Sequence, residues 1–352
     1  MNSESKEFLL ELLKTPSPSG RELEIQKKYA SYIKDYADKI EVDNAGNVIG
    51  IINPDAKFKV LLAGHCDEIG FIINRIDDKG YLYFSNVGGA RPSVAPGMVV
   101  KVLGYKKHIT GVIGVTPAHF NEEKEKISFE DLYIDCGANS KEDIEQYVRF
   151  GDLAIYNREP QLLLNDRVSG RGMDNRTGAF VVGEVLKKLA GKNPNVGVYC
   201  VSTTSEEIGL QGAYDASAGV QPNIAVICDV TFATDHPGVN INKHGDVKLD
   251  QGPVLGIGPS VNFRMNEMIE KVAEKLEMKL QYELYTRTTG TDGDRIRYTG
   301  KGVPIALISV PTRYMHAPVE TVSLKDIDEE IELLAEFIMS LTGEESFKPF
   351  EL

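Results

Sequence analysis

The 352-residue chain is poor in cysteine, in basic charge and in long apolar runs. Its four cysteines, Cys66, Cys136, Cys200 and Cys228, include no Cys-x-x-Cys pair, so neither a zinc ribbon nor a disulfide framework is indicated. Three of them, Cys66, Cys200 and Cys228, sit in apolar, strand-like runs and are expected to be small buried residues. Lys and Arg number 39 against 52 Asp and Glu, a net charge of -13, which argues against a sequence-independent grip on nucleic acid. No apolar run approaches a membrane span. The N-terminus, MNSESKEFLLELL, is acidic and amphipathic and lacks the basic start and cleavage site of a signal peptide. A cytoplasmic chain with neither a membrane nor a nucleic-acid partner is expected. Several catalytic signatures are missing too: there is no Gly-x-Ser-x-Gly, no His-Glu-x-x-His and no P-loop. GRGMDN, Gly170 to Asn175, lacks the third glycine of a dinucleotide fingerprint.

What is present is enough apolar residue, 42%, for a large core, and a length that suits two domains. Phe8, Leu9, Leu12 and Leu13 mark a short amphipathic helix. Ser19 to Glu22 has the Ser-x-x-Glu form of a capping box, followed by Ile25, Tyr29, Tyr32, Ile33 and Tyr36 at helical spacing. NVIGIIN (Asn47 to Asn53) and KVLLAGH (Lys59 to His65) predict two adjacent strands joined by a turn at Pro54 and Asp55. From about Gly70 to Tyr156, short strand-like runs broken by Gly, Pro and Asp predict a small all-β module, with NEEKEK (Asn121 to Lys126) as an exposed loop. From Gly170 onward helices and strands alternate, which predicts an α/β layer architecture. The simplest topology is one α/β domain, residues 1–69 and 164–352, interrupted by a β-rich module at 70–163.

Ligand sites in open α/β sheets lie beyond the C-terminal ends of strands. His65 follows VLLAG, Glu206 and Glu207 follow YCVSTTS, Asp229 follows IAVIC, and His316 follows IALISVPTRYM. Asp174 stands just before a predicted helix. Singly, each has a plain alternative: a hydrogen-bonded histidine, a helix N-cap, a turn residue, a solvated pair. Together they place a metal-competent group at five element ends. Two imidazoles with three or four carboxylates suit zinc, cobalt or manganese, and so many ligands suit two ions rather than one. In the Glu206–Glu207 pair one carboxylate can bind metal while its neighbour takes a proton. Asp67 can accept the second ring N–H of His65, or stand as a solvated loop carboxylate.

AGHCDEIG (Ala63 to Gly70), GRGMDNRTG (Gly170 to Gly178), TTSEEIGLQGA (Thr203 to Ala213), ICDV (Ile227 to Val230) and PTRYMHAPVE (Pro311 to Glu320) resemble the tetrahedral, or TET-type, glutamyl-aminopeptidase-like metallopeptidases. The resemblance spans nearly the whole chain. It implies a mixed-sheet catalytic domain flanked by helices, with an inserted PDZ-like dimerisation domain. It implies two divalent ions per subunit, zinc or cobalt, with Asp174 as the bridge, His65 and Asp229 on one ion, and Glu207 and His316 on the other. It also implies a bridging water as nucleophile, Glu206 as general base, and a cis peptide at Asp174–Asn175. Short peptides are the implied substrates and a tetrahedral dodecamer built from dimers the implied assembly. Thr291 and Asp292 match a segment that lines the family's substrate pocket, although Gly293 and Asp294 depart from the pattern. Two other readings differ in class. An endo-glycoside hydrolase would use a carboxylate pair but leave His65 and His316 idle. A binding scaffold would carry these ligands without turnover.

Overall fold

The computed structural model describes residues 1–117, 119 and 126–350. Residues Asn121 to Glu125 of the charged NEEKEK stretch lie outside them. Two helices, α1 (Ser3–Lys14) and α2 (Leu23–Ile33), lead into β1 (Lys39–Val42), β2 (Val48–Ile52) and β3 (Lys59–His65). The next six strands close a barrel: β4 (Gly70–Ile76), β5 (Leu82–Val87), β6 (Val99–Leu103), β7 (His108–Gly114), β8 (Tyr133–Asp135) and β9 (Leu153–Tyr156), with α3 (Lys141–Glu145) before the last. The chain returns through β10 (Gln161–Leu163), β11 (Arg167–Gly170), α4 (Met173–Leu189), β12 (Gly197–Thr203), α5 (Gln211–Val220) and β13 (Ile224–Phe232). It ends with α6 (Ile241–His244), β14 (Val254–Ile257), α7 (Phe263–Lys275), β15 (Gln281–Leu284), α8 (Gly293–Ile296), β16 (Ile305–Thr312), β17 (Glu320–Ser323) and α9 (Leu324–Ser340).

The large sheet is mixed, in the order β1-β2-β12-β3-β13-β16-β14-β15. Its centre, β12, β3, β13 and β16, is parallel. These strands read as unbroken apolar runs because both faces are covered. Along β13, Ile224, Val226 and Cys228 join a core with α1, α2, α4, α7 and α9, while Ala225 and Ile227 join a second core with α5 and α8. Asp229 continues the second face by the two-residue period of a strand. The α9 stripe of Ile327, Ile331, Leu334 and Ile338 is buried, each side chain contributing roughly 1.5–3 kcal/mol. The barrel has its own core around Phe71, whose ring lies 4.9 Å from Phe84 and 5.2 Å from Tyr156. Among the described residues no helix is long and apolar enough to cross a membrane.

Two sequence expectations fail. β2 and β3 are not neighbours, because β12 lies between them, antiparallel to β2 and parallel to β3. Both strands are buried, so each gains backbone partners on its open side from the returning chain, which local sequence does not reveal. The capping box at Ser19 is also absent: α2 starts after Glu22 with no side-chain cap. Ser19 Oγ instead donates to Asp67 Oδ2 at 2.6 Å, and Glu22 Oε1 accepts from the backbone N–H of Gly20 and Ser205. These polar groups serve the loop bearing Glu206 rather than the helix end.

Candidate metal centre

The four central parallel strands end on one edge of the sheet, which is why residues far apart in sequence meet there. His65 closes β3 opposite Thr203 of β12, three residues before Glu206. Asp229 lies near the end of β13, and His316 follows β16. Asp174 arrives from the opposite direction, at the start of α4, where the Asp174–Asn175 peptide is cis. α4 is seated directly on β13: a Cβ on Gly178 would stand 2.1 Å from the carbonyl oxygen of Cys228, so only glycine allows this approach. Asn175 completes the anchor, donating through Nδ2 to the same carbonyl at 2.8 Å and accepting Gly178 N–H at 2.9 Å.

Asp174 stands between the two imidazoles. Its Oδ1 lies 3.2 Å from Nε2 of His65 and its Oδ2 3.2 Å from Nε2 of His316. Glu206 Oε2 is 3.6 Å from the same nitrogen of His65, and Glu207 Oε1 is 3.9 Å from that of His316. Two donor groups result, each with atoms within 4.8 Å of one another: His65, Glu206 and Asp229, and Asp174, Glu207 and His316. The structure thus brings together all six residues, the five proposed from strand ends and Asp174 from the helix start, and it places Glu206 on the His65 side.

The electrostatics call for added positive charge. Burial pushes the Glu206 carboxyl up to about 10; His65 opposes the shift, and Asp229, Asp292 and Asp174 add to it. Burial likewise drives Glu207 and Asp229 well above the carboxylate range, with Asp174 adding to both. Burial alone would lower His65, but Glu206, Asp174 and Asp67 outweigh it and hold the imidazole well above its usual range. Among the described residues the cavity of about 430 Å³ over these groups has no Lys or Arg in its lining. Glu207 Oε1 is buried with no hydrogen-bond partner among the described residues. Donors held about 3.2 Å apart also match the spacing that bonds of about 2.0–2.1 Å to one ion produce. An orphaned carboxylate oxygen, clustered acids and two imidazoles fit divalent metal ions.

Asp67 is fully buried and faces the far side of His65, its Oδ1 3.3 Å and its carbonyl oxygen 3.2 Å from Nδ1. It also accepts the backbone N–H groups of Glu206 and Glu207 at 3.1 and 3.3 Å. It therefore positions both the ring and the acidic pair. Thr291 lines the cavity and shares a 2.8 Å hydrogen bond with Thr289. Asp292 is not in that lining; it lies buried beneath, accepting from the Thr203 hydroxyl at 2.5 Å.

Sequence reasoning assigned no role to three further groups. Glu320 accepts His316 N–H at 2.7 Å through one oxygen and Asp174 N–H at 3.2 Å through the other, which holds His316 in its left-handed conformation at φ 63°. Glu68 is fully buried between Arg171 and Arg176 and receives Ser17 N–H at 3.0 Å. Gly89, from the barrel side, lies so close that a Cβ there would stand 2.4 Å from Cε1 of His316. Glu68 and Glu320 stand inside the motifs, but only spatial contacts reveal what they do.

The M42 glutamyl aminopeptidase family profile matches residues 46–333. The lysyl aminopeptidase of Pyrococcus furiosus is 33% identical over 335 residues, 93% of this chain and 94% of the relative. A TET aminopeptidase structure from the marine sediment archaeon Thaumarchaeota archaeon SCGC AB-539-E09 superposes with a TM-score of 0.92 at 33% identity, over 97% of this chain and 99% of that one. The TET1 peptidase of Pyrococcus horikoshii, described as able to assemble into a tetrahedron or a large octahedral shell, superposes with a TM-score of 0.85 at 32% identity, over 96% of this chain and all, 100%, of that one.

Proposed function

From the premise that this chain belongs to the M42 glutamyl aminopeptidase family and is a peptidase, we propose that it removes N-terminal residues from short peptides at the Asp174-centred cluster, with two divalent ions per subunit, zinc or cobalt. The observation that carries the reading is the division of the two Asp174 oxygens between His65 and His316. His65 and Asp229 would then hold one ion, Glu207 and His316 the other, and Asp174 would serve both. Bound there, the ions supply Lewis acidity toward a water and a peptide carbonyl.

The chain's own groups do the rest. Glu206 takes the proton of the attacking water and passes it to the leaving amine. Asp67 fixes the tautomer of His65 and, through the backbone of Glu206 and Glu207, the aim of both carboxylates. Glu320 ties the His316 loop to the start of α4. Thr291 faces the substrate from the cavity wall, and Asp292, buried behind it, accepts from the hydroxyl of Thr203 at the end of β12. The glycoside hydrolase alternative is not favoured, since sugar cleavage by a carboxylate pair gives His65 and His316 no work.

We read residues 1–69 and 164–352 as the catalytic domain and 70–163 as the inserted PDZ-like dimerisation domain. Dimers would build the tetrahedral dodecamer, an assembly of the kind described for the Pyrococcus horikoshii relative. Support comes from the barrel's separate core and from Val99 and Val112, cross-strand partners that are both exposed on its outer surface.

The test is hydrolysis of aminoacyl-p-nitroanilides by protein loaded with zinc or cobalt, by the same protein after EDTA treatment, and on N-acetylated peptides. Turnover only with metal and only with a free amino terminus is expected. Equal cleavage of blocked peptides would overturn the exopeptidase reading.

A further inference from the structure

Beyond the metal-ligating cluster, the cavity continues along the ends of β13 and β15. Its remaining lining comprises apolar groups, among them Phe232, Leu210 and Met315, hydroxyl-bearing groups, among them Thr231 and Tyr285, and one further carboxylate, Glu283. Thr231 and Asp229 lie two residues apart on one strand, so both side chains face the same way, roughly 6–7 Å apart at their backbones. The hydroxyls of Thr231 and Tyr285 both donate to Oε2 of Glu283, the second at 2.8 Å. Burial, then Glu283, hold the Tyr285 phenol above its usual range, so it stays a donor. Among the described residues Oε1 of Glu283 has no donor and Glu283 forms no ion pair; both of its hydrogen bonds are on Oε2.

A carboxylate with one oxygen left for a ligand, in a cavity that also presents the apolar groups Phe232, Leu210 and Met315 beside the metal-ligating cluster, is a receptor for a cation on an alkyl stem. We propose that Glu283 is a specificity-determining residue that selects substrates with a basic N-terminal residue, lysine or arginine. This rests on the aminopeptidase reading. Oε1 accepts from the ammonium or guanidinium, Phe232, Leu210 and Met315 cover the methylenes, and Thr231 with Tyr285 keep the carboxylate aimed. The same charge disfavours an acidic N-terminal residue, which would place two carboxylates together with no cation between them.

The experiment compares kcat/KM of the metal-loaded protein on the p-nitroanilides of L-lysine, L-leucine and L-glutamate, for the native chain and for Glu283→Gln and Glu283→Lys. The native protein is expected to favour lysine over glutamate. Glu283→Gln, which keeps the shape and one acceptor oxygen, is expected to lose about 10- to 100-fold on lysine while leucine turnover stays within about threefold. Glu283→Lys is expected to reverse the lysine-to-glutamate order. Calorimetric binding of free L-lysine should weaken in parallel in Glu283→Gln, a readout independent of turnover. Unchanged lysine preference in Glu283→Gln, with leucine turnover intact, overturns the inference and leaves the peptidase reading standing. Failure of the loaded native protein to cleave any of the three substrates sinks the peptidase reading and this inference with it.

Discussion

Nε2 of His316 lies 3.2 Å from Oδ2 of Asp174, on the other side of that carboxylate from His65. One carboxylate thus joins two donor sets, and the role of each neighbour can be separated by what its removal takes away. Asp174→Asn retains one carbonyl oxygen and loses the charge. Elemental analysis should show it holding fewer than two ions per chain. Glu206→Gln should keep its metal content and lose about 10²–10⁴ in kcat, the range of a general base. Metal loss in Glu206→Gln would make Glu206 a ligand rather than the base.

Removal of the ions should change the pH dependence of stability. Glu206, Glu207, Asp229 and Glu320 are all raised by burial in the metal-free fold, Glu206 to about 10. With folded values above the unfolded ones, the folded chain binds more protons above about pH 4.3, so its stability falls as pH rises. For Glu206 that window runs from about 4.3 to about 10. Thermal midpoints of EDTA-treated and metal-loaded protein should therefore diverge between pH 6 and pH 9, the chelated form falling faster. Parallel curves would show that the ions do not neutralise this cluster.

Gly89→Ala should act on the metal centre without touching a ligand. Its Cβ would meet the His316 ring at 2.4 Å, and the ring must turn away. Metal affinity should weaken by about 10- to 100-fold, the usual cost of disturbing a ligand's support. The thermal midpoint of the chelated variant should match that of the chelated parent. A variant with native metal affinity would show that the barrel segment yields instead of His316.

Glu68 should contribute stability that acid removes. Burial raises its carboxyl, but Arg171 and Arg176 outweigh burial and hold it below the usual range. Burial also pulls Arg176 below its usual range against the pull of Glu68; a guanidinium keeps its proton in proteins, so the pair is ionic. With the folded value depressed, the contribution is fully present above about pH 4.3 and is lost as pH falls through the folded value. Glu68→Gln should cost about 3–5 kcal/mol at neutral pH, because two buried cations lose their counter-charge. Urea denaturation at pH 7 and pH 3.5 should show a smaller acid-induced loss in the variant than in the parent.

Much of the site could be read before any geometry was known. The runs ending at His65, Asp229 and His316 are apolar and short, and a polar group past such a run marks the sheet edge where ligands bind. The α9 stripe and the texture change at Gly70 were equally plain, since helical periodicity and glycine-broken strands are local properties. Ser19 and Glu22 show where local reading stops. Their spacing is that of a capping box, yet Asp67 and Ser205, distant in sequence, outcompete the helix end for their hydrogen bonds. The separation of β2 from β3 has the same origin, because β12 supplies backbone partners from 140 or so residues away, as such long-range sheet pairings do.

The sequence by itself determined the chemical inventory: which groups can bind a cation, that two imidazoles accompany an excess of carboxylates, and that all stand at element ends. Only the tertiary structure decided their partnerships. It turned the two oxygens of Asp174 toward different histidines, put Glu206 beside His65, hung His316 from Glu320, brought Gly89 over the ring, and left one oxygen of Glu283 in the cavity lining without a donor among the described residues. The reason is range. Residue type and periodicity act over a few positions along the chain, whereas coordination, hydrogen bonding and burial act over a few ångströms in space, and the crossing of the parallel strands sets which residues fall within that reach.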